Sequence, residues 1–124
     1  MQRWFVDEVN PTVDEIRVWA YSGEPEPYED FDIVIADPAN AELLVALADD
    51  ERCPKREYSG GSLYCTVGHS DLTDPRLSSA VLQAASSADE ALRTWASRTA
   101  VVLADPTKRV RSEWCSPSGL RTRP

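Results

Sequence analysis

Cys53-Pro54-Lys55-Arg56-Glu57-Tyr58-Ser59-Gly60-Gly61-Ser62-Leu63-Tyr64-Cys65-Thr66-Val67 is the stretch on which the fold turns. Taken alone, it reads as a β-hairpin: two short runs around a glycine pair. A repeat gives the other reading. Sliding the chain by 37 residues puts Asp37-Pro38 on Asp74-Pro75, and Leu44 and Leu47 on Val81 and Ala84. Within the same offset Tyr58 falls on Trp95 and Cys65 on Val102. Self-similarity at such a period is the mark of stacked helical units.

The second copy carries helix signals. Asp74 is an N-cap candidate and Pro75 suits a first turn. Leu77, Val81, Ala84 and Ala85 follow on one apolar face. Ser87 with Glu90 has the capping-box spacing, and Ala88, Leu92, Trp95, Thr99, Val102 and Leu103 keep helical period until Pro106. This predicts helices over 75–86 and 88–104. Transferred back, it predicts helices over 38–49 and 54–67, with Asp50 to Cys53 as the turn. Pro54 would then open the second helix and Gly68 would follow its end. Gly60 and Gly61 oppose a helix, each costing roughly 0.8–1 kcal/mol against alanine. Close packing of a neighbour against the backbone would explain them. The expected fold is mainly α, stacked antiparallel helix pairs of about two 37-residue units. An α+β fold with a hairpin at 53–67 is the alternative.

The N-terminal third is irregular. Thr12 and Glu15 form a capping box for a helix over 13–21, with Val13, Ile16 and Ala20 on one face. Pro25 and Pro27 make 22–28 a loop. Residues 32–36 (Asp-Ile-Val-Ile-Ala) fit a short helix or a buried strand equally. The expected organisation is one domain over 1–116 and a basic tail over 117–124, with Lys108 onward extended and Trp114-Cys115 docked on the core.

The two helix-pair units resemble HEAT-like α-solenoid repeats, though shorter. The phrases Asp50-Glu-Arg-Cys-Pro-Lys-Arg56, Leu63-Tyr-Cys-Thr-Val-Gly68 and Ser112-Glu-Trp-Cys115 are similar to those of a family of small high-GC bacterial proteins of unknown function. The resemblance spans about residues 12–116. It implies no activity, and the adjacent glycines depart from it.

The net charge of −8 is unevenly spread. Residues 1–51 hold fourteen acids against two arginines, a net of −12; residues 52–124 hold eleven bases against seven acids, a net of +4. The acidic half argues against nucleic acid, whose phosphates call for clustered Lys and Arg. It would steer a basic protein. Glu24, Glu26, Glu29, Asp30 and Asp32 lie within nine residues on or beside the proline-stiffened loop, and are the candidate partner-binding residues. No apolar run has the length of a membrane span. Asp7 and Glu8 follow Phe5 too closely for a signal peptide, so the cytoplasm is the expected location, with three free buried thiols.

Chemistry finds little support. His69-Ser70-Asp71 has the residue types of a triad, but sequence neighbours do not converge as a triad must. His69 suits a helix end. Cys53, Cys65, His69 and Cys115 would satisfy zinc, and Cys65 and His69 stand four apart on one helical face, but no Cys-x-x-Cys knuckle is present. Carboxylate pairs such as Glu29/Asp32 and Asp49/Asp50 would need a cleft to act as acid and base. No cofactor is expected. The leading function is a non-catalytic protein-binding module, of the kind an immunity protein, antitoxin or adaptor would be. A small metal protein or enzyme using the Cys/His set or surface carboxylates is the alternative. A subunit that works only as a homo-oligomer through its tryptophans is a third; exposed Trp4 or Trp114 would mark a binding surface.

Overall fold

The stretch that begins at Cys53 is helical from Arg56 to His69. In the computed structural model, which describes residues 5–109, six α-helices and one 3-10 turn make up the regular structure, and no strand occurs among the described residues. The helices are α1 (Val13–Ala20), α2 (Phe31–Val34), α3 (Pro38–Asp49), α4 (Arg56–His69), α5 (Pro75–Ala85) and α6 (Glu90–Ala104), followed by the 3-10 turn Pro106–Lys108. The hairpin alternative is thereby excluded. Residues 110–116 and the expected tail over 117–124, with Trp4, Trp114 and Cys115, lie outside the described residues.

Local chemistry sets the helix starts. Thr12 forms the capping box: its hydroxyl accepts from the Glu15 N–H at 3.1 Å, and Glu15 accepts from the Thr12 N–H at 2.9 Å. Backbone N–H bonds from Thr12 and Val6 hold the Glu15 carboxyl below its ordinary pKa. Asp37 and Asp74 cap α3 and α5 identically, each accepting from the N–H two residues on, with proline in the first turn. The Asp74 carboxyl is held down to about 2, foremost by the Arg76 guanidinium.

Three expected boundaries move. Pro54 lies in the turn before α4, whose N-cap is Lys55. Gly68 stays inside α4, buried and without positive φ, and Ser70 ends the helix. Ser87 does not form a capping box with Glu90. Its hydroxyl donates to the Asp49 carboxylate and accepts from the Asp89 N–H, so Asp89 caps α6 through Ala91 N–H instead. The first helices of the two pairs thus start 37 residues apart (38 and 75), the second helices 34 apart (56 and 90). Of the extra residues, two sit in the α3–α4 turn and one lengthens α3 relative to α5. Lys108, read as extended, closes the 3-10 turn that Asp105 caps.

α3 packs against α4, α5 against α6, and α3 against α5; α1 covers α3, α2 covers α4, and α6 also touches α4. α3 is therefore the central helix. Val45 is 1% exposed on it, while Leu82, 37 residues on in the outer α5, is 72% exposed. Within the same core an aromatic cluster joins the N-terminal third to α4. Phe5, Trp19, Phe31 and Tyr58 stack edge-on or tilted, with the Trp19 ring 5.1 Å from Phe31 and 5.4 Å from Tyr58. Residues 31–34 choose helix over strand because the Asp30 and Phe31 carbonyls receive the N–H groups of Val34 and Ile35.

Candidate functional site

The loop between α1 and α2 is pinned to the core from several sides. The Trp19 indole N–H donates to the Pro25 carbonyl at 3.1 Å. The Lys55 ammonium donates to the carbonyls of Trp19 at 3.1 Å and Ser22 at 2.6 Å, and sits 4.5 Å above the Trp19 ring. Burial lowers the Lys55 pKa. The Tyr58 hydroxyl donates to Glu26 at 2.5 Å, and burial, followed by that bond, pushes its pKa far above the usual value.

This frame divides the five candidate acids. Glu24, Glu29 and Asp30 are exposed; Glu26 and Asp32 are half-buried. Glu26 is a tie between loop and α4 rather than a freely displayed charge. Of the cations that could have neutralised the cluster, Arg56 is engaged elsewhere, while Lys55 is held on backbone carbonyls and still feels the Glu24 charge. Arg56 bonds Asp89 at 2.5 Å and the Ala48 carbonyl at 3.1 Å.

A groove of about 280 Å³ runs between α4 and α6, a site that the sequence reading missed. Leu63, Leu92 and Trp95 give it apolar walls, and Gly60 and Gly61 line it from α4. Close packing does not explain these glycines: a Cβ built on either would meet no atom within 4 Å. Past the Arg56–Asp89 ion pair the groove adjoins a polar cleft lined by Asp49, Asp50 and Glu51. There Asp50 accepts from the Tyr21 hydroxyl at 2.5 Å, which raises the tyrosine pKa to about 12. The available signal was a glycine pair in a helix that its geometry did not require.

Among the described residues, Cys53, Cys65 and His69 are not brought together as a ligand set. Cys53 is a free thiol in the main core, its Sγ 3.8 Å from the Ala20 carbonyl. Cys65 packs with Ala36 and Ile33 in a separate cluster and is disulfide-bonded. This corrects the expectation of three free thiols and takes Cys65 away from any thiolate ligand set. It also removes the cysteine argument for a reducing compartment. His69 is exposed at the last residue of α4. Among the described residues no group of three or more His, Cys, Asp or Glu is placed to hold a metal ion. Asp71 accepts from the N–H and hydroxyl of Thr73, a local turn that holds its carboxyl below the ordinary range.

No helix of the described residues is long and apolar enough to cross a membrane. Comparison with family models gives no match, and neither the curated proteins nor the solved structures contain a match to this chain.

Proposed function

We propose that the chain is a non-catalytic binding module, a short HEAT-like helical repeat, that engages a basic protein through its acidic N-terminal half, as an immunity protein, antitoxin or adaptor would. The observation that carries this reading is the display of Glu24, Glu29 and Asp30 on a loop already held in place by Trp19, Lys55 and Tyr58. A pre-ordered loop loses little entropy on binding. No base lies between Arg17 and Arg52, so the field of the cluster extends over a Debye length of about 8 Å at physiological salt. The same excess of acid disfavours nucleic acid.

Charge reversal tests it. Glu24→Lys with Glu29→Lys leaves the Glu26–Tyr58 tie intact. It is expected to slow association with a basic protein co-purified from the native host by about tenfold at low salt and to flatten the salt dependence. Association kinetics by surface plasmon resonance across a salt titration give the readout. Unchanged kinetics with altered solubility or stability would reduce the acids to a solubilising role.

A further inference from the structure

Gly60 and Gly61 stand inside a fourteen-residue helix. Neither has positive φ, neither marks a turn, and no neighbouring atom approaches closely enough to forbid a methyl group. The fold would be served better by alanine at both positions. Their visible consequence is an open wall of the α4–α6 groove.

The groove is prepared for apolar contact. Its floor is closed by Leu63, Leu92 and Trp95, all but fully buried, and the Trp95 indole N–H is committed to the Leu63 carbonyl at 3.3 Å, so no donor lies at its base. Its surroundings are acidic. Glu57 stands in its lining, and the adjoining cleft adds Asp49, Asp50 and Glu51. With Asp89 these make five acids against two arginines, Arg52 and Arg56. Arg56 is already paired with Asp89, which leaves acid in excess at the mouth.

We propose that the α4–α6 groove receives one apolar side chain, aliphatic or aromatic, carried beside Lys or Arg on a basic protein partner. The volume of about 280 Å³ suits a side-chain anchor rather than a whole helix. An apolar anchor in a pocket with charge at the rim is the usual anatomy of a hot spot. The inference rests on the reading of a basic protein partner, and adds the contact surface and the partner's chemistry.

A random peptide library displayed on phage, panned against the full chain, supplies the probe; selected sequences are then made as synthetic peptides. Enriched peptides are expected to carry Trp, Phe or Leu flanked by Lys or Arg. Their affinity, measured by fluorescence polarisation, is expected to fall by about tenfold or more in Gly60→Leu and clearly in Gly60→Ala with Gly61→Ala. The alanine variant is expected to melt above the wild type, so a loss of binding there is not a loss of folding. Full binding by both glycine variants with loss in Glu24→Lys/Glu29→Lys would overturn the groove and keep the acidic loop as the contact. Selected peptides rich in apolar and acidic residues would overturn both the anchor's charge and the basic-partner reading. An absence of enrichment would overturn the site. So would a concentration-dependent dimer abolished by the glycine variants, or nuclear Overhauser contacts from Trp114 to Gly60, which would give the groove to a second copy or to this chain's own end.

Discussion

Trp95→Ala is expected to lower the unfolding free energy by about 3–5 kcal/mol, the range for deleting a buried aromatic. The side chain is 1% exposed and comes from the middle of α6, where it meets Leu63 of α4. It therefore joins the two second helices of the pairs, which share few other contacts. Truncation leaves a cavity beside a groove, so neighbouring side chains have little behind them to collapse against. Its indole hydrogen bond adds about 1 kcal/mol to the loss. Urea denaturation followed by circular dichroism measures the change. A loss below about 1 kcal/mol would be that of a surface residue and would contradict the packing of α6 on α4.

Trp19→Ala is expected to cost about the same, 3–5 kcal/mol, with a different signature. Trp19 is 2% exposed at the centre of the Phe5, Phe31 and Tyr58 cluster. Each such aromatic pair adds about 0.5–1.5 kcal/mol beyond area burial. Its loss also frees the Pro25 carbonyl and removes the ring beneath Lys55. The acidic loop should then exchange amide hydrogens faster over 22–30 than it does in Trp95→Ala at equal destabilisation. Equal protection of the loop in the two variants would show that Trp19 does not hold it.

Much of this helical architecture is legible in the sequence, wherever the signal is local. Asp37-Pro38, Asp74-Pro75 and Thr12 with Glu15 announce their helices because a cap is made by residues two or three apart. α4 has no such announcement. Lys55 offers no side-chain cap, and only the 37-residue offset identifies the helix. Ser87 misleads because its hydroxyl is taken by Asp49, on another helix, which composition around Ser87 cannot reveal. The offset also equates Val45 with Leu82, although one lies at the centre and the other at the edge of the stack.

The candidate sites show the same division. A run of acids is visible as composition, but the role of Glu26 depends on Tyr58, 32 residues away. The Cys65 disulfide depends on which segments meet, and an odd cysteine count points toward free thiols instead. The groove is made by side chains that are missing. Gly60 and Gly61 read in sequence as an obstacle to the helix, and only three dimensions show that the helix forms around them and leaves a gap.

That gap can be weighed without knowing what enters it. Unfolding of Gly60→Ala with Gly61→Ala, by urea at equilibrium, reports directly whether the glycines serve the fold or the surface. The expected result is a gain of about 1.6–2 kcal/mol, the sum of two helix-interior Gly→Ala changes with room for each methyl. A loss of stability would mean that the fold itself requires the two glycines, and would contradict a groove held open for a partner.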